Sequence, residues 1–221
     1  MTKLHLLWLI PMAWLDGLLI GKQSWAVKAQ KMRYWLIAMM RWLQVKLVVN
    51  NPHRLPDGCL IVSNHQGTLD PIYLSAVLPV NHTYVSKTEN LKLPLIGRWA
   101  KNVEMIVFER DQQSSAIKMI REVTRRLQQH QSVVIFPEGT RSHQVKMLPL
   151  QPGALKAAYL AKAPIVPVVL HNAYLDFKPL FKDREYKVTI GETIPYETYH
   201  QLAIQDLCNQ IQNWMETTLN A

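Results

Sequence analysis

His65 and Asp70 stand five residues apart in Asn64-His65-Gln66-Gly67-Thr68-Leu69-Asp70, and together they offer a base and a carboxylate. In an ideal helix a five-residue step turns a side chain by roughly 140°, so the two would not share a face and His65 must precede the helix. A turn through Gly67 and a helix opening at Asp70-Pro71 would bring the carboxylate back to the imidazole. If Asp70 accepts a hydrogen bond from one ring nitrogen, the tautomer is fixed and the other nitrogen is a base near neutral pH. The same residues also allow Asp70 to be an ordinary helix N-cap. The chain has no Gly-x-Ser-x-Gly elbow, and neither cysteine lies in a nucleophile motif. Direct attack by a substrate hydroxyl is the simplest use of such a base.

A second cluster, Phe136-Pro137-Glu138-Gly139-Thr140-Arg141-Ser142, has the makings of an anion site. Arg141 can present a fork of N–H donors to phosphate oxygens, Thr140 adds a hydroxyl, and Gly139 lets backbone N–H groups approach closely. The competing reading is a surface turn carrying a Glu138/Arg141 ion pair. Arg110 ends the apolar run Met105-Ile106-Val107-Phe108, and Lys87 closes Thr83-Tyr84-Val85-Ser86, so each cation also falls at a strand end.

The elements that must hold these groups follow from the hydrophobic pattern. Cys59-Leu60-Ile61-Val62 and Val133-Val134-Ile135-Phe136 read as buried strands, each ending in one of the polar clusters. In open α/β sheets ligands bind at that edge. Ala116, Ile120, Val123 and Leu127 have helical spacing, as do Ile204, Leu207, Ile211, Trp214 and Leu219. Residues 155–161 read as a short helix, and 185–194 as a strand region. The alternation predicts an α/β fold, with a mixed, largely parallel sheet flanked by helices.

The two clusters together resemble the signature of the glycerolipid acyltransferases, the family of 1-acylglycerol-3-phosphate acyltransferases. That family has an Asn-His-x-x-x-x-Asp block and a Phe-Pro-Glu-Gly-Thr-Arg-Ser block, both present here without substitution. The resemblance runs from about Val48 to Leu170 and takes in Leu93-Pro94-Leu95-Ile96-Gly97 and Ile165-Val166-Pro167-Val168-Val169. It implies that His65 is the general base and Asp70 its orienting partner. Arg110, Glu138, Gly139, Thr140 and Arg141 would shape the site for a glycerol phosphate, with Pro167 near the acyl or acceptor pocket; Lys87 is a substrate-binding candidate by its strand-end position alone.

The implied reaction moves a fatty acyl group from acyl-CoA or acyl carrier protein to the free hydroxyl of a lysophospholipid. The expected acceptor is 1-acylglycerol 3-phosphate, giving phosphatidate, with the acyl thioester as co-substrate and neither a metal nor a cofactor. The usual second block reads Gly-x-Ile-Phe-Ile-Asp-Arg, whereas this chain has Glu104-Met105-Ile106-Val107-Phe108-Glu109-Arg110. Related Phe-Lys-Lys-Gly residues are replaced by Leu150-Gln151-Pro152-Gly153. These departures keep open a lysolipid without the glycerol phosphate head, and a noncatalytic lipid-binding protein is the reading from another class.

The 221 residues, 48% hydrophobic, suffice for one domain with a full core and an appendage. Division falls at an N-terminal helix pair, 1–45, and an α/β acyltransferase domain, 46–221. Cys59 and Cys208 read as buried reduced thiols. The excess of 25 Lys+Arg over 16 Asp+Glu, a net +9, suits an anionic membrane surface, a phosphate-rich donor or nucleic acid. No nucleic-acid-binding signature accompanies the charge, so that partner is set aside.

His5 to Ile20 is almost wholly apolar but is broken by Pro11 and Asp16, short of the ~20 clean apolar residues a spanning helix needs. Nor does a small-residue cleavage site follow it, which disfavours a signal peptide. Trp8, Trp14, Trp25, Trp35 and Trp42, five of the chain's seven tryptophans, mix with Lys22, Lys28, Lys31 and Arg33 as at a membrane interface. The expectation is a monotopic, membrane-associated protein on the cytoplasmic face, with membrane lipids among its partners.

Overall fold

The apolar runs that end in the two polar clusters form neighbouring strands at the centre of a seven-stranded sheet. The computed structural model describes residues 6–42, 44–88, 94–108, 113–175 and 184–221. In chain order the strands are β1 (Val45–Asn50), β2 (Leu60–Ser63), β3 (His82–Lys87), β4 (Ile106–Phe108), β5 (Ser132–Ile135), β6 (Ile165–His171) and β7 (Arg184–Ile190). Their order across the sheet is β1-β7-β6-β2-β5-β3-β4. Among the described strands only the β6–β7 pairing is antiparallel, so the sheet is mixed and largely parallel, as the alternating pattern predicts.

The helices are α1 (Leu6–Leu19), α2 (Trp25–Trp42), α3 (Asp70–Val77), α4 (Pro94–Asn102), α5 (Gln113–Gln128), α6 (Lys156–Ala161), α7 (Tyr196–Tyr199) and α8 (Ile204–Asn220). All four residues of β2 are buried, because both sheet faces are covered. Leu60 and Val62 pack with Val123, Leu127, Leu207 and Ile211 of α5 and α8. Ile61 points the other way, to Met40 of α2 and Tyr73 and Leu74 of α3. Each such side chain contributes about 1.5–3 kcal/mol of burial.

Proline in a central strand normally costs a ladder bond. Pro167 avoids this by sitting between the β7 ladder, which begins at Val168, and the isolated bridge from Ile165 to Ile194.

Asp16, which interrupts the apolar run, holds the N-terminal helices to each other, and donors on α2 and α4 tie the pair to the sheet domain. Asp16 accepts hydrogen bonds from Trp35 Nε1 at 2.7 Å and Lys31 Nζ at 3.2 Å, joining α1 to α2. Trp99 and Asn102 of α4 donate to the carbonyls of Ala13 and Gly17 in α1 at 3.1 and 2.8 Å. A methyl group at Gly17 would meet the Trp99 ring at 3.3 Å, so this residue sets how closely the helices approach. Two of the five N-terminal tryptophans therefore serve the protein's interior contacts: Trp35 as described, and Trp25 by donating to Val103 O at 3.1 Å. Trp8 and Trp14 remain exposed. Among the described residues no helix is long and apolar enough to cross a membrane.

Candidate active site

Because β2 and β5 are adjacent and parallel, the chain leaves both at the same sheet edge, and the two polar clusters meet there. Asn64 fixes the exit from β2. Its side chain donates to Leu170 O at 2.9 Å and accepts from Leu170 N–H at 2.7 Å, extending the β2–β6 pairing by one side-chain rung. The backbones of the two loops are then joined directly, with Ser142 N–H donating to His65 O at 2.8 Å and His143 N–H to Gln66 O at 3.1 Å. Gln66 adds side-chain bonds to Val145 O and Ala173 N–H at 3.1 and 3.0 Å.

His65 and Asp70 are in contact, with Nδ1 2.7 Å from Asp70 Oδ2. The same oxygen accepts from Gln66 N–H at 2.7 Å, and Gly67 N–H is shared between both carboxylate oxygens at 3.0 Å. An acceptor already facing backbone N–H groups takes a proton from the ring as well, so Nδ1 carries the hydrogen and Nε2 is left free to accept. The N-cap reading of Asp70 gives way here. Leu69 holds the cap position, Asp70 opens α3, and its carboxylate reaches backward into the turn rather than forward along the helix. Burial, with 0% exposure, pushes the Asp70 carboxyl above its ordinary range, while the bonds from His65, Gly67 and Gln66 pull it back. The imidazole also stacks on Phe136 of the second cluster, with centroids 4.2 Å apart and planes 18° off parallel.

Glu138 lies beneath the dyad, not beside solvent. One oxygen accepts His65 N–H at 2.6 Å and the other Leu148 N–H at 2.7 Å, with the residue 6% exposed. Burial raises its carboxyl to about 7, against the two N–H bonds that favour the charged form and with the Asp70 carboxylate adding to the rise. This places Glu138 as a brace on the histidine's backbone; neither oxygen is offered to a ligand, and the surface ion pair with Arg141 is not formed. Gly139 has φ +70°, a conformation that favours glycine, and its N–H closes a turn on Phe136 O at 3.0 Å. Thr140 and Arg141 are exposed at the loop's outer side. Arg141 donates to Thr68 Oγ1 at 2.6 Å, which brings the guanidinium over the turn between His65 and Asp70.

The remaining predicted positions separate. Lys87 ends β3, one strand beyond β5, and only its backbone is described. Arg110 and Glu109 lie outside the described residues. Pro167 is on the far side of the sheet from α3, beside Ile194, Ile211 and Trp214, so it is not near the dyad's cavity. Alternation along β6 is the reason: Ile165, Pro167 and Val169 share the face covered by α8.

Beside the dyad is a feature that sequence reasoning missed, a cavity of about 360 Å³ between the sheet domain and the N-terminal pair. Its lining includes Thr68 and Pro71, which lie within and just after the dyad's turn in the chain, Tyr84 of β3, Trp99 of α4, and Trp35 and Met39 of α2. Only Thr68, Ser75, Tyr84 and Ser86 bring side-chain hydroxyls to an otherwise apolar lining. Its walls come from five elements, so no local pattern encodes it.

A half-buried imidazole held by a buried carboxylate, a guanidinium over the same turn and an apolar cavity alongside are thus gathered at one sheet edge. A family model described as Acyltransferase matches residues 46–171, more than half of the chain, and the protein belongs to that family. Among its relatives, human 1-acyl-sn-glycerol-3-phosphate acyltransferase beta is 30% identical over 192 residues, covering 83% of this chain and 69% of that protein. A 1-acyl-sn-glycerol-3-phosphate acyltransferase from Helicobacter pylori is 37% identical over 141 residues, covering 62% and 60%. The crystal structure of the 1-acyl-sn-glycerophosphate (LPA) acyltransferase from Thermotoga maritima shares the fold, with a TM-score of 0.68 over 96% of this chain and 95% of that one at 17% identity.

Proposed function

We propose that this acyltransferase moves a fatty acyl group from an acyl thioester, acyl-CoA or acyl carrier protein, to the free hydroxyl of 1-acylglycerol 3-phosphate, giving phosphatidate. The observation that carries the reading is the His65–Asp70 contact at 2.7 Å with every donor around Asp70 directed at its carboxylate. His65 Nε2 takes the acceptor's hydroxyl proton as that oxygen bonds to the thioester carbonyl carbon. Asp70 stabilises the imidazolium that forms, and Nε2–H then protonates the departing thiolate. General base assistance of this kind is typically worth roughly 10²- to 10⁴-fold.

Arg141 and Arg110 would hold the acceptor's phosphate, Arg141 from its position over Thr68. The 360 Å³ cavity would take the donor's acyl chain, its apolar walls matching the alkyl group. Glu104 supports the phosphate-bearing acceptor over a lysolipid lacking it. Standing where related blocks carry glycine, it keeps a left-handed φ of +53° and gives its carboxylate to Arg126 of α5. That charge is neutralised on the helix side and does not oppose an anionic headgroup.

Trp8, Met12, Leu15 and Leu19 form an exposed stripe along α1, at the spacing of one helical face. The stripe supports insertion of α1 into one leaflet, and the cytoplasmic face is the side proposed for it. The test supplies purified protein with labelled acyl thioesters and a panel of lysolipids, comparing wild type with His65→Ala and Arg141→Ala. Undiminished transfer by His65→Ala sinks the mechanism. An Arg141→Ala loss equal for phosphate-bearing and phosphate-free acceptors sinks the anion site.

A further inference from the structure

Tyr84 reaches the immediate neighbours of both halves of the dyad, Pro71 and Phe136, although it belongs to neither polar cluster. It is 2% exposed to bulk solvent, and its ring forms part of the cavity wall. The phenol donates to Pro71 O at 2.8 Å, the carbonyl of the residue directly after Asp70. Ser75 Oγ stands 2.8 Å from the same phenolic oxygen, and His82 Nε2, at 3.0 Å, is a second acceptor within reach of the phenolic proton. His82 is anchored in turn, with Nδ1 2.8 Å from Val80 O. Burial pulls its imidazole down to about 4 and pushes the phenol upward, so at neutral pH the cluster holds an uncharged ring and an intact O–H donor.

The Tyr84 ring leads to the other half of the pair. It lies 14° from parallel to Phe136 with centroids 6.4 Å apart, and Phe136 stacks on His65 at 4.2 Å. His65, Phe136 and Tyr84 thus form a column of three nearly parallel rings that runs from the base to the cavity wall.

We propose that Tyr84 is a positioning residue that couples the cavity to the dyad, holding Asp70 through the Pro71 carbonyl and the plane of His65 through Phe136. The inference rests on the cavity being the acyl-chain site. A chain packed against the Tyr84 ring presses on the same column that orients the imidazole, so a filled cavity and a correctly placed base reinforce each other. Misplacement of a reacting group by about 1 Å can cost about 10²-fold, which leaves a single hydroxyl ample leverage.

The test compares wild type, Tyr84→Phe and Tyr84→Leu on thioester donors of increasing chain length with one lysophosphatidate. A turnover-independent readout runs beside it: the proton NMR signal of His65 Nδ1–H, assigned by its loss in His65→Ala. Tyr84→Phe keeps the ring column but removes the phenolic bond to Pro71 O, and is expected to lower kcat roughly tenfold on every donor with both KM values within about twofold. Its Nδ1–H signal and the acid limb of its kcat–pH profile are expected to move.

Tyr84→Leu is expected to lose more on long donors than on short ones, narrowing the wild-type preference for chains that fill the cavity. A Nδ1–H signal and acid limb unchanged in Tyr84→Phe overturn the proposal, as does a loss in Tyr84→Leu that is uniform across donors and tracks thermal stability alone. If wild type shows the signal but transfers no acyl group, the acyltransfer reading fails instead, and the coupling is then judged on the signal in the two variants.

Discussion

Replacing Asp70 by asparagine separates the charge of the carboxylate from its hydrogen bonding, and the site's geometry decides how. Oδ2 receives His65 Nδ1, Gln66 N–H and one branch of Gly67 N–H, whereas the other Gly67 branch goes to Oδ1. The amide oxygen therefore takes the Oδ2 place and the NH₂ group the Oδ1 place, with one donor–donor contact instead of three. Ring orientation and tautomer survive in Asp70→Asn, and what goes is the negative charge beside the developing imidazolium. Unit charges about 4 Å apart at an effective dielectric of about 20 interact by about 4 kcal/mol. With about half the ring charge developed in the transition state, about 2 kcal/mol is lost, or roughly 30-fold in kcat.

Asp70→Ala differs because it leaves three N–H groups unpartnered where exposure is 0%. Each orphaned donor costs about 1–3 kcal/mol, so the loop loosens, and kcat is expected to fall more than about 10³-fold with a lower Tm. The assay is steady-state transfer with both variants at saturating substrates, with Tm measured alongside. Equal losses in Asp70→Asn and Asp70→Ala would refute the reasoning, since they would mean that the amide does not preserve the tautomer. Full activity in Asp70→Asn would refute it from the other side.

Glu138 makes the protein's stability pH-dependent in a stated direction. Its folded value of about 7 lies above the ordinary 4.5, so its contribution is fully present below about 4.5 and is lost as pH rises toward and through about 7. At about 1.4 kcal/mol per pH unit the effect is at most about 3–4 kcal/mol, and denaturant unfolding between pH 4.5 and 8 should show a smaller slope in Glu138→Gln than in wild type. Ala13 of α1 lines the cavity, and Ala13→Phe is expected to shift donor preference toward shorter chains with kcat on those chains retained, as read by donor competition. Leu15→Asp with Leu19→Asp should cut sedimentation with anionic vesicles by roughly tenfold or more while leaving the Tm near wild type, because both residues are exposed.

The elements legible in the sequence were those whose signal is local. β2 and β5 are short apolar runs closed by polar residues, and α5 and α8 carry their burial pattern at helical spacing. The dyad could be anticipated because a turn and a helix start suffice to bring residues 65 and 70 together. Asn64 gave no such hint, since its partner Leu170 is 106 positions away. Glu138 beside Arg141 has the composition of a surface ion pair, and only tertiary burial turns it inward. Glu104 in a glycine's place reads as a loss, yet its backbone adopts the left-handed conformation that the place requires. Pro167 was assigned a neighbourhood from its motif, and the parity of β6 put it on the opposite face.

The bonds that sew the two loops together also set when in folding the base can exist. His65 N–H is held by Glu138, and its carbonyl by Ser142, residues synthesised more than 70 positions later. Until β5 has docked beside β2, the histidine is an ordinary side chain on a loose turn. The slow step of assembly is thus the closure of a long loop, whose entropic cost falls before any contact in the site repays it. A nascent chain that ends short of Leu148 carries the whole Asn64–Asp70 segment and still lacks the bonds that organise it.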